Sequence, residues 1–357
     1  MTEPSGSGSD VAGVAMRRAV LAAAMHRSLA EAELVRGGTS PNPPVGCVVL
    51  DADGHTAGVG ATAAPGGPHA EVRALAQAGA LARGGTAVLT LEPCARHGRT
   101  PPCTDALLAA GIAEVHFAVP DPHPGGAGGA AVLRAAGLTV EQGLLAEQVR
   151  HGPLRAWLHA VRTGRPHVTW KFAATLDGRV AAADGTSRWI SGVESRTEVH
   201  RLRAAVDAVI TGTGTVLADD PQLTARNPDG AAPARQPLRV VLGNRPVPPG
   251  ARVLDDAAET LLLPGHDPAA ALEVLHQRGV VDVLLEGGPT VTGAFFAAGY
   301  VDRVLAYLAP ALLGAGPAAL AGAGVETLDQ ILRLRIEDVG MSGPDIRVSA
   351  VPGIQEG

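Results

Sequence analysis

The stretch His69-Ala70-Glu71, answered by Pro93-Cys94 and then by Cys103, decides how the first half of this chain folds. One histidine and two cysteines offer three soft ligands, which leaves one position of a tetrahedral zinc open for water, as a catalytic zinc requires. Glu71 is not needed as a ligand, so it can shuttle protons between the zinc-bound water and a substrate. The metal lowers the pKa of that water to about 7, so the pattern predicts a zinc hydrolase that releases ammonia from an amidine-like ring carbon.

Each short motif is weak alone, and the complete set carries the prediction. An isolated His-x-Glu or Pro-Cys is frequent on protein surfaces, and buried thiols beside a surface histidine are the alternative interpretation. Here an apolar segment, Ala87 to Leu91, leads into Glu92-Pro93-Cys94, and a helical segment, Asp105 to Ala110, follows Cys103. A purely structural zinc is disfavoured, because no fourth ligand is evident nearby.

The spacing between the two cysteines restricts which deaminase family the chain can resemble. Eight residues separate Cys94 from Cys103, whereas two separate the cysteines of most deaminases in this superfamily. The string from Glu92 to Cys103 closely resembles the deaminase half of the bifunctional deaminase/reductases of riboflavin biosynthesis. The resemblance extends to three further segments: Thr39 to Val48, Ala110 to Ile112 and Asp121-Pro122.

The second half of the chain contains apolar strands that run into turns rich in glycine and threonine, such as Gly212-Thr213-Gly214-Thr215 and Gly287-Gly288-Pro289-Thr290. Backbone N–H groups of such turns can cradle phosphate, although each turn alone is common chemistry. Together with Ala173 to Arg179 and Thr186 to Ser191, they look like the reductase half of the same family, which has a dihydrofolate-reductase-like fold and uses NADPH. The halves also occur in the family's order, so the resemblance runs from about Met25 to about Gly343.

The alternation of helices and strands predicts an α/β protein with the zinc held between two helix N-termini. The resemblance implies an N-terminal cytidine-deaminase-like zinc domain and a C-terminal dihydrofolate-reductase-like domain. The expected divisions are a disordered tail at 1–12, the deaminase domain at 13–150, a connecting helix and linker at 151–166, and the reductase domain at 167–357. A first helix is expected over Val14 to Arg36 and a connecting helix over Glu147 to Val161. Between Arg226 and Gly279, only Leu238 to Leu242 reads as a clear strand.

The resemblance also implies roles for individual residues. His69, Cys94 and Cys103 are implied as zinc ligands, Glu71 as the proton shuttle and Asn42 as a ligand of the pyrimidine. The positions implied around the phosphoribosyl substrate are Lys171, Ser187, Arg203, Leu223, Arg226 and Glu286. The positions implied on the NADPH side are Ala173, Trp189, Thr215, Asp219, Asn244, Gly288, Pro289, Thr290, Val291, Thr292, Gly293 and Ala294.

The family deaminates 2,5-diamino-6-ribosylamino-4(3H)-pyrimidinone 5′-phosphate and then reduces its ribosyl group to ribityl. The second step needs a hydride at the sugar C1′ and an acid, for which Lys171, Asp219 and Glu286 are unranked candidates. We expect Arg203 and Arg226 to hold the substrate phosphate, with surface solvation of each arginine as the alternative. Glu286, at a strand end, is expected to face the sugar hydroxyls from the other end of the ribose, while the amides of the glycine turn face the cofactor phosphates.

Bulk properties restrict the remaining possibilities. The net charge of -6 and the lack of a long basic run disfavour a nucleic-acid partner. No apolar stretch reaches the length of a membrane span, and the N-terminus does not resemble a secretory signal. Three cysteines imply no disulfide framework and fit a reducing cytoplasm, with Cys47 expected to be a buried core thiol. A homo-oligomer formed through the reductase domain is expected.

Three departures from the family pattern surround the deaminase pocket. The family's histidine after the first zinc cysteine is replaced by Arg96, the histidine before the zinc histidine by Thr62, and the asparagine of Asp-Pro-Asn-Pro by His123. Two alternatives therefore stay open. The same scaffold could act on a related aminopyrimidine or pteridine, or the deaminase half could be a binding module beside a working reductase.

Overall fold

The computed structural model describes residues 7–96 and 101–353, with the backbone alone for 7–11. The chain divides into two compact units, Met1–Thr163 and Gly164–Gly357, which are described in turn. The division falls inside the segment expected to be a connector. No helix within the described ranges combines the length and apolar character that crossing a bilayer would need.

The first unit is a layered α/β fold around a five-stranded sheet of order β2-β1-β3-β4-β5. Strand β1 pairs antiparallel with β2 and β3, whereas β3, β4 and β5 run parallel. The elements are α1 (Ser7–Leu34), β1 (Gly46–Leu50), β2 (Thr56–Ala61), α2 (Ala70–Ala78), β3 (Thr86–Leu91), α3 (Cys103–Ala110), β4 (Glu114–Val119), α4 (Gly129–Ala135), β5 (Thr139–Gln142), α5 (Ala146–His151) and α6 (Arg155–Thr163).

Glycines on the strands let helices approach the sheet closely. A Cβ on Gly46 would lie 1.9 Å from the carbonyl oxygen of Ser28 on α1. A Cβ on Gly58 or Gly60 would lie 2.1 or 2.4 Å from a carbonyl oxygen of α2. Helix α2 therefore packs directly against the backbone of β2. This contact fixes the position of the first turn of α2, which carries residues of the predicted zinc site.

Two expectations for the first unit are wrong. Helix α1 begins at Ser7, so residues 7–12 of the predicted disordered tail are helical, while the rest of that tail, 1–6, lies outside the described residues. Strong helix formers after Val11 carry the helix toward the N-terminus. The predicted connecting helix is two helices, because Gly152-Pro153 interrupts the backbone hydrogen bonding. Trp157 and Leu158 of α6 are buried in the core of the first unit.

The second unit is built on an eight-stranded sheet of order β12-β13-β11-β6-β10-β7-β8-β9. The six strands from β11 to β9 in this order run parallel, and β13 and β12 add an antiparallel hairpin. The elements are β6 (His167–Thr175), α7 (Val193–Ala205), β7 (Ala208–Gly212), α8 (Thr213–Asp219), β8 (Leu238–Leu242), β9 (Thr260–Leu263), α9 (Pro268–Gln277), β10 (Asp282–Leu285), α10 (Pro289–Ala297), β11 (Arg303–Ala309), β12 (Leu334–Ser342) and β13 (Asp345–Pro352).

Strand β9 and helix α9 were not anticipated in the segment between Arg226 and Gly279. The start of α9 carries a readable signal, because Asp267 caps it by accepting a hydrogen bond from the Ala269 N–H and Pro268 occupies the first turn. Strand β9 is a short edge strand whose residues stay partly exposed, so its apolar pattern is weak. The parallel arrangement brings the carboxyl ends of β6, β10, β7 and β8 to one edge, where ligands bind in sheets of this kind.

Candidate active sites

The predicted zinc ligands converge at the starts of two helices. His69 is the N-terminal cap of α2, Cys103 is the first residue of α3, and Cys94 lies in the loop after β3. Nδ1 of His69 is 3.2 Å from Sγ of Cys103 and 3.7 Å from Sγ of Cys94. The three ligand atoms all lie within 4.8 Å of one another, a span that a single zinc ion with bonds of about 2.0–2.3 Å can bridge.

The electrostatics of these three residues suit a metal that needs thiolates. The hydrogen bond from the Cys103 thiol lowers the pKa of Cys94 to about 4, with further help from His69. The same contact, together with burial, raises the pKa of Cys103, so the pair shares one proton when no metal is present. The backbone N–H of Cys103 also donates to Sγ of Cys94 at 3.3 Å. A zinc ion would displace the shared proton, because a coordinating thiol is deprotonated.

Glu71 lies on the first turn of α2 and is buried, with 4% of its surface exposed. Burial raises the pKa of its carboxyl group, and the nearby Cys94 raises it further. Its charge in turn raises the pKa of Cys47 and Cys103, so the carboxylate faces the sulfur atoms. A carboxyl group with a raised pKa holds a proton more readily than an ordinary carboxyl group, which suits it to taking up and releasing a proton beside the predicted metal position.

The cysteine loop is fixed by a residue that the sequence did not single out. Glu92 is buried, and its two carboxylate oxygens accept hydrogen bonds from the backbone N–H groups of Asp121 and Ala130 at 3.2 and 2.9 Å. A Cβ on Gly129 would lie 1.8 Å from the carbonyl oxygen of Pro93. The start of α4 is therefore packed directly against the backbone that precedes Cys94.

The three departures from the family pattern have different settings. The buried hydroxyl of Thr62 accepts from the N–H of Val45 at 3.1 Å, so it braces the strand behind the loop that carries Asn42. Arg96 is exposed, and the N–H of His123 donates to Asp121 at 2.8 Å. The motif histidine His97, with residues 98–100, lies outside the described part of the chain. No described contact joins Asn42 to the zinc ligands.

At the sheet edge of the second unit, three of the predicted residues form one cluster. Glu286 follows β10, Lys171 lies on β6 and Arg203 lies on α7. Both carboxylate oxygens of Glu286 accept from Arg203, at 2.6 and 3.0 Å, and Nζ of Lys171 donates to Oε2 at 3.3 Å. All three side chains are at most 16% exposed.

The two cations determine the state of this carboxylate. Burial would raise the pKa of Glu286, but the charges of Arg203 and Lys171 and their hydrogen bonds outweigh it and lower the pKa to about 2. Glu286 is therefore ionised at neutral pH and cannot serve as the acid. The expectation that Arg203 lies at the opposite end of the ribose from Glu286 is wrong, because the two side chains form a bidentate ion pair.

Arg226 has a different environment from Arg203. It is exposed, and its NH2 group donates to the neutral amide oxygen of Gln222 at 2.7 Å. Between these two residues lies Leu223, which is buried and has a left-handed φ of 58°, a conformation that costs a non-glycine residue about 1–3 kcal/mol. Burial and the charges of Arg203 and Arg226 lower the pKa of His200, so the positive charges of both arginines reach this histidine.

Several residues predicted on the NADPH side meet across two glycine turns. The N–H of Gly288 donates to Oγ1 of Thr215 at 3.1 Å, so this amide is used inside the protein and does not face a cofactor phosphate as expected. A Cβ on Gly212 would lie 2.6 Å from Cγ2 of Val291, and one on Gly243 would lie 2.4 Å from Oγ1 of Thr213. The turns after β7, β8 and β10 therefore pack closely together at the carboxyl edge of the sheet, where ligands bind in folds of this kind, and we call these three turns the cradle.

The other residues predicted there flank this cradle. Oγ of Ser187 donates to Asp219 at 2.8 Å, which links a predicted substrate residue to a predicted cofactor residue. Asn244, directly after Gly243, accepts from the N–H of Gly265 at 2.7 Å. Trp189 is 70% exposed, and the guanidinium of Arg196 lies 4.6 Å from its ring centroid. The remaining positions lie on β6 (Ala173) and in the first two turns of α10 (Pro289, Thr290, Val291, Thr292, Gly293 and Ala294).

Comparisons with known proteins match both halves. The family described as "Cytidine and deoxycytidylate deaminase zinc-binding region" matches residues 19–119, and "RibD C-terminal domain" matches residues 166–348. The chain is 52% identical over 328 residues to riboflavin biosynthesis protein RibD of Mycobacterium tuberculosis, covering 92% of this chain and 96% of the relative. It is 41% identical over 359 residues to RibD of Escherichia coli, covering 90% and 96%.

Solved structures give the same result for the fold. A Thermotoga maritima diaminohydroxyphosphoribosylaminopyrimidine deaminase/5-amino-6-(5-phosphoribosylamino)uracil reductase superposes with a TM-score of 0.85 at 32% identity, covering 94% of this chain and 99% of that chain. Acinetobacter baumannii RibD superposes with a TM-score of 0.82 at 38% identity, with the same coverage. The similarity therefore extends over both units.

Proposed function

This chain belongs to the RibD family of riboflavin biosynthesis, whose members join a zinc-dependent deaminase to a reductase, and from that membership we propose its substrate and its residue roles. It deaminates 2,5-diamino-6-ribosylamino-4(3H)-pyrimidinone 5′-phosphate and then reduces the ribosyl group to ribityl with NADPH. The observation that carries the proposal is that one chain holds both the His69/Cys94/Cys103 ligand set beside buried Glu71 and the Lys171–Glu286–Arg203 cluster.

In the deaminase half, His69, Cys94 and Cys103 would hold zinc. Zinc held there would supply a hydroxide nucleophile near neutral pH. Glu71 takes a proton from the attacking water and delivers it to the departing amino group, so that ammonia leaves and oxygen replaces nitrogen on the ring. Asn42 binds the pyrimidine, and Glu92 holds the loop of Cys94 in place.

In the reductase half, the exposed charge of Arg226 binds the substrate phosphate and the ribose lies over the Lys171–Glu286–Arg203 cluster. Ser187 and Leu223 line the sugar. NADPH supplies the hydride. The cradle formed by the turns after β7, β8 and β10 binds NADPH, and Trp189 and Asp219 lie at the margin of this cradle. Ionised Glu286 orients Lys171 and Arg203 and stabilises positive charge that develops at C1′.

The proton for the reductase step comes from Lys171. The pKa of about 2 removes Glu286 from the three candidates, and Asp219 is engaged with Ser187 at 2.8 Å. Lys171, by contrast, offers N–H donors, and its Nζ lies 3.3 Å from Oε2 of Glu286. Lys171→Met should therefore abolish turnover while leaving NADPH binding intact.

Complementation of a riboflavin auxotroph that lacks both activities tests the proposal. Full rescue by this chain supports both steps on the riboflavin intermediate. Rescue of a strain lacking only the reductase, without rescue of one lacking only the deaminase, would favour a deaminase half that is a binding module. Failure in both strains, with both reactions detectable on other aminopyrimidines or pteridines, would favour a different substrate.

The assembly is a cytoplasmic homo-oligomer formed through the reductase unit. Strand β12 ends the sheet and presents four exposed apolar side chains, Leu334, Ile336, Val339 and Met341, which are 42–65% exposed. An exposed apolar edge strand is a ready pairing surface, and a second copy would cover it. Ile336→Glu should shift the protein to the monomer in light scattering. The three free cysteines fit a reducing compartment.

A further inference from the structure

Hydrogen bonds anchor most residues of the segment Gln222 to Arg226, whereas the side chain of Arg226 is exposed to solvent. The carbonyl oxygen of Gln222 accepts from Arg239 at 3.3 Å, and that of Thr224 accepts from Arg203 at 3.1 Å. The backbone of Ala225 bonds in both directions to the side chain of Gln236, at 2.7 and 3.1 Å. A loop anchored in this way presents its last side chain in a defined place.

The anchor behind this segment is a completely buried arginine. Arg239 lies on β8 with 0% exposure. Its NH1 group donates to Oδ1 of Asp255 at 2.7 Å, which neutralises the buried charge. The backbone carbonyl groups of Arg252, Asp255 and Ala258 accept its remaining bonds. Because β8 is an interior strand of the sheet, Asp255 is fixed to a rigid element.

Gln222 joins this ion pair to Arg226. Its Nε2 donates to Oδ2 of Asp255 at 2.6 Å, and its Oε1 accepts from NH2 of Arg226 at 2.7 Å. The charges at both ends enforce this orientation, since the flipped amide would turn its oxygen to a carboxylate and its N–H groups to a guanidinium. Gln222 therefore fixes the guanidinium of Arg226 relative to the carboxylate of Asp255.

The neutral partner has a second consequence. The carboxylate of Glu286 compensates the charge of Arg203 in a bidentate ion pair. Among the described residues, the charge of Arg226 has no such partner, because a neutral amide holds its guanidinium, and it stays available to a ligand. A carboxylate at position 222 would hold the guanidinium as firmly but would compete with a phosphate for it. Glutamine is the residue that both fixes the arginine and leaves it attractive to an anion.

We propose that Gln222, fixed by the ion pair between buried Arg239 and partly exposed Asp255, is a positioning residue that orients the uncompensated guanidinium of Arg226 toward the phosphate of the reductase substrate. This inference rests on the proposed role of Arg226. It acts on substrate binding and leaves the hydride and proton steps unchanged. Gln222 itself touches neither the reacting atoms nor the cofactor cradle.

A double-mutant cycle tests this role in the full-length protein. The four proteins are wild type, Gln222→Met, Arg226→Ala and the double variant, each assayed for the KM and kcat of the reductase and for the Kd of NADPH. Gln222→Met should raise KM about 5-fold, as expected for the net loss of one hydrogen bond of about 1 kcal/mol while the guanidinium itself stays in place. Both kcat and the Kd of NADPH should stay within about 2-fold, and the double variant should match Arg226→Ala.

Two further variants serve as controls for the effect of Gln222→Met on KM. Gln222→Asn keeps an amide but is too short to span Asp255 and Arg226, so it should raise KM as Gln222→Met does even if the methionine variant folds poorly. Gln277→Met makes the same substitution on the exposed end of α9, where Gln277 donates to Glu273 at 2.7 Å, and should leave KM unchanged.

The outcomes separate the inference from the proposed function. If Arg226→Ala raises KM but Gln222→Met and Gln222→Asn do not, the positioning role is wrong and the phosphate role of Arg226 stands. Effects of Gln222→Met and Arg226→Ala that multiply in the double variant also overturn the positioning role. If Arg226→Ala leaves KM unchanged, the phosphate assignment is wrong and the positioning role is overturned with it.

Discussion

Two buried glutamates, Glu71 in the first unit and Glu286 in the second, have opposite pKa shifts. Glu71 has no cation among the groups that lower its pKa except His69, so burial dominates and raises the pKa. Glu286 is also buried, but Arg203 and Lys171 lower its pKa to about 2. The same side chain is thereby suited to carry a proton in one unit and to remain a fixed anion in the other.

The difference teaches that burial alone does not determine the role of a carboxylate. In the first unit the neighbours of Glu71 are thiols and a histidine, which leaves it able to exchange protons beside the metal position. In the second unit the neighbours are permanent or nearly permanent cations, so the carboxylate organises them. Each of the following changes should break or sharpen this contrast.

A large effect is expected for Glu286→Gln, which leaves Arg203 and Lys171 without a carboxylate partner in a buried site. Reductase kcat should fall by about 100-fold or more, because the cluster that faces the sugar loses its anion. The deaminase rate should be unchanged, and it provides the internal control in the same protein. A variant that keeps the wild-type reductase kcat would show that the anion is not needed.

The same variant gives a pH test of the anion. The pKa of Glu286 is about 2 in the folded chain against an ordinary value of 4.5, so between these values the unfolded chain binds more protons and stability rises with pH. The stability advantage of wild type over Glu286→Gln should be complete above about pH 5 and should shrink as the pH falls toward 2. Chemical denaturation at several pH values measures it.

A smaller loss is expected for Arg226→Ala, because one charge-assisted contact to phosphate contributes about 1.5–3 kcal/mol. The KM of the reductase substrate should rise by roughly 10- to 150-fold. The Kd of NADPH should barely change, since the cofactor cradle lies on other turns. A titration in which NADPH binding weakens as much as substrate binding would mean that the two phosphate positions are assigned wrongly.

The smallest effect concerns packing beneath the zinc site. Gly60→Ala places a methyl group 2.4 Å from the carbonyl oxygen of Ala70, so α2 must shift. Overpacking of this kind costs about 1–3 kcal/mol, which should lower the melting temperature and the deaminase rate together. Gly66→Ala, where a Cβ would meet nothing within 4 Å, isolates the strain of a left-handed glycine as the comparison. Equal melting temperatures for wild type and Gly60→Ala would contradict the close contact.

The sequence allowed the zinc site to be predicted more completely than the reductase site. His69 and Cys103 sit at helix starts, where local spacing and turn residues fix the geometry, and the structure brings them together with Cys94. The Lys171–Glu286–Arg203 contact joins residues up to 115 positions apart, so no local pattern could show that Arg203 pairs with Glu286 and does not lie opposite it.

Other features needed the tertiary structure for a similar reason. Glu92 and Gln222 hold functional loops through side-chain contacts to distant backbone or carboxylate groups, and neither stands out by type or spacing. The break between α5 and α6 and the start of α9 did have local signals, Gly152-Pro153 and Asp267-Pro268. Those two could have been read from the sequence, whereas the loop anchors could not.

The most direct test of the contrast between the two glutamates is Glu71→Ala, assayed for zinc content and for both reactions in one preparation. The variant should keep about one zinc per chain, since Glu71 is not a ligand, and should lose deamination by about 10²- to 10⁴-fold. Its reductase rate on already deaminated substrate should equal that of wild type. Deamination at the wild-type rate, or a parallel collapse of both rates, would contradict the assignment of Glu71 as the proton carrier of a separate zinc site.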